Sequence, residues 1–417
     1  MLSLYIHIPF CDQKCGYCSF NVLPIDGKDA ISKLIDPYVE ALCKQIAERG
    51  TKMNKPQVNT IYFGGGTPTR IGADNLAKII DTISAHFDIE LLVELTIECN
   101  PFPQDEVLSI IETITRRYHT FGRIRRSIGI QTFDEEVLQE SGRLYSFPAI
   151  CDFLRKLRNI KQINNIYNLD FIAFGKRNTD AQWQSILRDA DRRHFFQKLI
   201  LSGMADGISL YTLELFPGSD RYNQQIQQTT HIKDGLWLRR YGDDDAVYEE
   251  FQALKQSVIN AWYGRYEISN FAMPGKLSIH NNTYREMGNY IGFGTSASSC
   301  LTGDLVSFAP QQWAQAVRWT NTKAIADFCR WEYIDASTIQ ALDEQDYRIE
   351  KAFLALRTSH GLQHVSSYAD LFVSDWAEKL EERMANDYVF YAEDTLVLQD
   401  EGMDVYNTII TELFEKL

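Results

Sequence analysis

Hydrophobic residues along the first half of the chain gather in short runs rich in β-branched side chains, and each run gives way to a stretch with helical spacing. The pattern predicts strands at Leu2–Ile8 and at residues 60–63, 92–98, 125–130, 166–172 and 207–213, each followed by a helix. Strand–helix units in series imply parallel strands joined by right-handed crossovers. Such units build either an open doubly wound sheet or a barrel, and in both the ligand site lies at the carboxyl ends of the strands. After about residue 235 the alternation stops. A helical stretch over about 244–262 leads into Tyr266–Glu267–Ile268–Ser269–Asn270–Phe271–Ala272 and then a polar run punctuated by glycine, 274–294, which is expected to be a loop-rich connector carrying function. Helices near 347–357 and 374–386, a hairpin near 389–398 and a last helix then make a small α+β domain of winged-helix-like character. The division expected is 1–235, 236–330 and 331–417.

The residues that carry chemistry fall repeatedly at the expected strand ends. Cys11, Cys15 and Cys18 stand in a C-x3-C-x2-C run three residues beyond the first strand. Gly64–Gly65–Gly66–Thr67–Pro68 follows the second, Glu98–Cys99–Asn100–Pro101 closes the third, Gln131 follows the fourth and Asp170 lies in the fifth. One shared pocket is the economical reading.

Three thiols rather than four is an informative count. A structural zinc site closes four ligands, whereas a cluster that must do chemistry leaves one metal open to a ligand from outside. The loop therefore reads as the cradle of an iron–sulfur cluster with one unprotected iron; the alternatives are a zinc loop completed by a distant side chain and a chance cluster of buried thiols. An open iron invites a small chelator bearing an amine and a carboxylate, as S-adenosylmethionine does. The glycine triplet lets backbone approach such a ligand closely, or else serves as a tight strand-to-helix turn. Glu98 would carry a charge into the pocket, a costly step unless a cation or hydroxyls meet it, and Asp170 makes the same demand. Gln131 and Arg143 supply a neutral and a charged donor. Tyr5 and Tyr17 flank the loop and pack on cluster or adenine, or are plain core aromatics.

Composition narrows the class. The chain has 417 residues, 45% hydrophobic and 24% charged, enough for a large domain and a smaller one. Its eight cysteines are not spaced as a secreted disulfide framework; Cys43, Cys99, Cys151, Cys300 and Cys329 read as core thiols. The apolar N-terminus lacks a basic flank and is broken by His7 and Pro9, which argues against a signal or spanning segment and for the cytoplasm. Lys plus Arg at 42 against Asp plus Glu at 56 leaves a net charge of −14, which argues against a nucleic-acid substrate, with Arg123, Arg125 and Arg126 as a local basic patch outside that average.

The segments Tyr5 to Cys11 and Cys18–Ser19–Phe20, with the glycine turn, resemble the radical S-adenosylmethionine superfamily. Ser127 to Phe133, Gly142–Arg143, Tyr266 to Ala272, Pro274–Gly275 and His280–Asn281 further resemble the oxygen-independent coproporphyrinogen III oxidase-like family, closest to its HemW-type heme chaperones. The resemblance spans nearly the whole chain. It implies an incomplete (β/α)6 barrel with a small C-terminal α+β domain, a 4Fe-4S cluster on Cys11, Cys15 and Cys18, and S-adenosylmethionine contacts from Tyr5, Tyr17, Gly65, Gly66, Thr67, Glu98, Gln131, Arg143 and Asp170. It also implies heme as ligand, His280 of the family's HNxxYW motif as its binding residue, and a heme-accepting apoprotein and an electron donor as partners. The alternative it leaves is a radical enzyme acting on a porphyrin or heme.

Several positions depart from the family. The oxidases carry a further cysteine two residues after the third, where this chain has Phe20, which disfavours porphyrinogen decarboxylation. Arg285 replaces the motif tryptophan, Tyr145 stands where many relatives have histidine, and Phe174–Gly175–Lys176 replaces a Gly-Leu-Pro turn. These touch the substrate side more than the cofactor side.

Overall fold

The computed structural model of the protein describes residues 1–25, 31–160, 164–175, 190–214, 244–311 and 314–414. Lys176 and the domain boundary expected near residue 235 lie outside the described residues. In chain order the strands are β1 (Leu2–Ile8), β2 (Val58–Gly65), β3 (Glu94–Cys99), β4 (Arg123–Gln131), β5 (Asn165–Ala173) and β6 (Gly207–Thr212), then β7 (Gly264–Glu267), β8 (Asn270–Ala272), β9 (Asn289–Phe293), β10 (Ser298–Thr302), β11 (Ala316–Asn321) and β12 (Ile334–Leu342). They form one 12-stranded sheet in the order β12-β11-β10-β9-β1-β2-β3-β4-β5-β6-β8-β7. β1 to β6 are parallel, as the alternation requires, and β9 pairs parallel with the free side of β1. The ends of the sheet, β12 and β7, do not pair with each other among the described residues, so the barrel is incomplete.

Strand periodicity explains how the sheet faces its two surroundings. Leu2, Leu4, Ile6 and Ile8 of β1 are fully buried in the apolar core, while Ser3, Tyr5 and His7 between them point to the inside of the curve. The helices α1 (Asp36–Lys52), α2 (Gly72–His86), α3 (Gln104–Arg117), α4 (Phe147–Ile160), α5 (Ala190–Leu201) and α6 (Asp244–Asn260) alternate with the strands. In α3 the residues Val107, Leu108, Ile110, Ile111 and Ile114 bury one stripe, and Asp105 and Glu106 in its first turn with Arg116 and Arg117 in its last complement the helix dipole. No helix among the described residues is long and apolar enough to cross a membrane.

Two expectations need correction here. The expected loop-rich connector contributes strands to the sheet: β7 and β8 extend it beyond β6, and β9, β10 and β11 extend it beyond β1. These strands are only three to six residues long, so their pattern resembles that of loops, and only pairing with a preformed edge makes them strands. The basic patch is absent as well. Arg125 and Arg126 are 2% and 1% exposed on opposite faces of β4, Arg126 donating to Thr115 of α3, while Arg123 pairs with buried Glu94 at 2.8 Å.

The helices α7 (Ile279–Arg285), α8 (Glu344–Leu356), α9 (Trp376–Ala385) and α10 (Tyr406–Leu413) follow, with an antiparallel sheet of β13 (Leu362–Gln363), β14 (Val389–Ala392) and β15 (Thr395–Leu398). The last three of these helices and that small sheet enclose a second core around Leu356, Leu396, Ile409 and Leu413. Lys255 and Arg265, both nearly buried, meet Asp400 and Asp404 at 2.6–2.8 Å and tie this second core to the barrel.

Candidate functional site

The thiol loop leaves β1 at Pro9 and is pinned at both ends. Phe10–Cys11 pairs with Leu23–Pro24, the Ile25 amide donates to Cys11 O, and the Gly16 amide donates to Ser141 O. The three thiols are half-buried and free. Burial pushes the Cys11 thiol up to about 11, so a metal rather than the protein must displace its proton. Among the described residues no three Cys, His, Asp or Glu side chains converge to share a single ion. Cluster ligation asks for less convergence, because each thiolate takes a different iron. Phe20, where the oxidases carry a further cysteine, is 63% exposed beside the loop.

The glycine run lies directly against this loop. The Gly66 and Thr67 amides donate to Ile8 O and Phe10 O at 2.8 Å, continuing the β1–β2 ladder past its last strand residue. Side chains would collide there. A Cβ on Gly65, whose φ is +106°, would stand 2.4 Å from the His7 ring, and one on Gly66 would stand 2.8 Å from Phe10 O and 3.0 Å from Cys11 Sγ.

A polar chain then runs around the rim. The Thr67 hydroxyl donates to Cys11 Sγ at 3.6 Å, Asn100 donates to Thr67 Oγ1 at 3.1 Å, and Arg143 donates to Asn100 Oδ1 at 2.6 Å and to the Tyr17 hydroxyl at 2.8 Å. Asn100 is the linking residue that sequence reasoning did not select. Its signal was visible, since it follows Glu98 at a strand end. Gln131, with φ +68° at a bulge in β4, folds its amide back over Gly129, whose carbonyl accepts from Tyr145.

Beneath the rim the inward side chains stack in layers. Tyr5, Tyr62, Thr96 and Arg125 share one register level; His7, Gly64, Glu98, Ser127 and Asn168 share the next. Glu98 accepts from the Tyr62 hydroxyl at 2.6 Å and from the Gly65 amide at 3.3 Å. Burial raises its carboxyl to about 7 against the pull of those donors. Asp170, raised by burial too, accepts from Asn168 at 2.6 Å and from Ser127 at 3.0 Å. Tyr5 therefore sits inside the barrel below the thiols, while Tyr17 is the aromatic that meets the rim arginine.

His280 does not join this assembly. Its segment seals the opposite end of the barrel. Glu94 at the start of β3 accepts from the Ile279 and His280 amides, Arg123 reaches the Gly275 carbonyl, and Ser3 meets Thr283. The His280 ring is fully buried, with Nδ1 2.7 Å from Thr60 Oγ1 and Nε2 2.7 Å from the Tyr284 hydroxyl. Because the Thr60 proton goes to Ser3, Nδ1 must donate and Nε2 must accept from Tyr284. The lone pair a heme iron would need is already engaged, so as folded His280 is a floor residue and not an open heme ligand. His280→Ala is expected to strand Thr60 and Tyr284 beside a cavity and to lower unfolding stability by about 2–4 kcal/mol in denaturant melts; an unchanged midpoint would contradict the floor role. Arg285, in the place of the motif tryptophan, shares buried Glu267 with Arg357 at 2.8 and 3.2 Å.

A shallow groove of about 520 Å³ lined by Asp74, Lys78, Asp81, His86 and Arg117 lies on the outer helical wall and contains none of these residues.

Residues 5–190 match the Radical SAM superfamily. The chain is 25% identical over 419 residues to the heme chaperone HemW of Lactococcus lactis subsp. lactis (strain IL1403), covering 99% of this chain and 96% of that one. With the heme chaperone HemW of Bacillus subtilis (strain 168) it shares 30% identity over 305 residues, 73% of this chain and 72% of that protein. The chain belongs to the HemW family of radical SAM proteins. Its fold is also that of the radical SAM enzyme coproporphyrinogen III oxidase (HemN) from Escherichia coli, with a TM-score of 0.72 and 20% identity over 98% of this chain and 89% of that one.

The residues present fit the cofactors of the radical SAM superfamily. Cys11, Cys15 and Cys18 would provide three thiolates for a 4Fe-4S cluster, and the glycine run leaves the space beside Cys11 that any Cβ would fill. Glu98 and Asp170 are buried carboxylates suited to accept from the amino group and ribose of S-adenosylmethionine, with Arg143 and Gln131 on the rim above them.

Proposed function

We propose that this protein is a heme chaperone of the HemW type, which holds a 4Fe-4S cluster and S-adenosylmethionine at the open end of the barrel, binds heme and passes it to an apoprotein. The observation that carries this reading is the likeness to HemW chaperones over the full length of the chain, at a site whose thiols, glycine cradle and paired carboxylates are all in place. Phe20 supports it against porphyrinogen decarboxylation, since no sulfur stands at that position beside the loop. When bound, the cluster supplies an electron at its open iron; the protein's own groups orient the cofactor and keep water from it. The rigid rim from Thr67 through Asn100 to Arg143 and Tyr17 orients, and the buried Glu98 and Asp170 supply charge. Eight free cysteines suit a reducing compartment, the cytoplasm.

The test is an anaerobic reconstitution followed by a hemin titration, reading iron, sulfide and the Soret band in one sample, then S-adenosylmethionine with dithionite and an assay for 5′-deoxyadenosine. Stoichiometric heme with little nucleoside is the expected result. Nucleoside release stimulated by a porphyrin, without stable heme binding, would make the protein a radical enzyme instead.

A further inference from the structure

The inside of the barrel carries a charge arrangement that the cofactor contacts alone do not explain. Two of its carboxylates are already neutralised: Glu94 by Arg123 at 2.8 Å, and Glu267 by Arg285 and Arg357. Glu98 and Asp170 are left, and the buried cation beneath them is Arg125 of β4, one register level below Glu98 of β3 and two below Asp170 of β5. Arg125 is 2% exposed, and its Nη1 has no hydrogen-bond partner among the described residues. Among the described residues it joins no ion pair. Its outward neighbour Arg126 donates into α3.

We propose that Arg125 is a positioning residue of the cofactor site: from below, its guanidinium favours the ionised form of Glu98 and Asp170, so that the interior presents negative charge to the cationic sulfonium of S-adenosylmethionine. This rests on the cofactor reading above. Two carboxylates above one guanidinium leave negative charge in excess, which suits a ligand that carries a sulfonium. In a dry interior a charge acts over a layer of side chains without contact. The other groups facing this space carry no charge near neutrality. Burial lowers His7 of β1 to about 4 and His280 of α7 to about 3. It raises the phenols of Tyr5, Tyr62, Tyr266 and Tyr284, from β1, β2, β7 and α7. Arg125 works against burial at both carboxylates and keeps its own charge against desolvation, with Glu94 and Asp170 among the groups that favour it.

The experiment compares the cluster-loaded wild type with Arg125→Met and Arg125→Lys, measuring S-adenosylmethionine binding by equilibrium dialysis from mildly acidic to alkaline pH. Arg125→Met is expected to weaken binding about tenfold near neutrality and to recover it at alkaline pH, a displacement of about one pH unit or more, and Arg125→Lys to restore the wild-type profile. A loss of equal size at every pH, or an unshifted profile, would overturn the proposal. Infrared titration of the apoprotein carboxyl band, with Glu98→Gln as the difference reference, reads the same displacement if Arg125→Met does not hold its cluster; no displacement there overturns it too. A wild type that binds no S-adenosylmethionine at any pH would instead refute the cofactor reading.

Discussion

Cys15→Ala is expected to remove the iron–sulfur absorbance and nearly all iron and sulfide from the anaerobically reconstituted protein, while leaving the fold intact. The three thiols are the ligands proposed for the cluster, each for a different iron. Two remaining thiolates leave two irons open, and exchange with solvent thiols or chelators then strips the cluster. The cost to folding should be small, about 0.5 kcal/mol, because Cys15 is half-buried on a loop anchored by backbone bonds from Cys11, Gly16 and Cys18 rather than by its own side chain. Iron and sulfide analysis beside a urea melt checks both parts. Full iron and sulfide content in the variant would refute the ligand assignment; a collapsed melt would show that the thiol is structural.

Glu98→Gln should move binding and stability in opposite directions. Losing the charge under the glycine cradle removes a charge-assisted contact to the cofactor, and S-adenosylmethionine affinity is expected to fall about 100-fold, or about 3 kcal/mol. The apoprotein should gain. Burial raises the Glu98 carboxyl from 4.5 to about 7 in the folded chain, so between those values the folded state holds the proton that the unfolded state has lost. Stability contributed by this group is therefore present below the unfolded value and declines as pH rises towards 7. Above 7 the full penalty applies, of the order of 3 kcal/mol for a shift of this size. Urea melts of the apoprotein should show Glu98→Gln more stable than wild type in mild alkali and equal to it in acid. The opposite order would mean that the carboxylate is satisfied by the protein alone and awaits no cation. Buried His7 and His280 act with the other sign: their folded values are lowered, so the stability they allow is lost as pH falls below their ordinary value of 6.5.

Much of this site was legible in the chain itself. Spacing alone marked Cys11, Cys15 and Cys18, and the position of Gly65, Gly66, Glu98, Gln131 and Asp170 at the ends of apolar runs predicted one shared face, because parallel strands with helical crossovers put every carboxyl end on the same side. These are local and periodic signals, carried by the residues themselves. The tertiary structure decided what depends on partners remote in sequence. Asn100 became the link between the thiols and Arg143 only once two strand ends met. Short segments became β8 and β9 because a sheet edge was there to receive them. Arg123, Arg125 and Arg126, adjacent enough to read as a basic patch, were separated by the alternation of β4 and by Glu94. His280, whose motif suggested an open imidazole, was enclosed by Thr60 and Tyr284 at the closed end of the barrel. A sequence specifies which groups can bond, whereas burial and the competition among distant partners decide which of them remain free for a ligand.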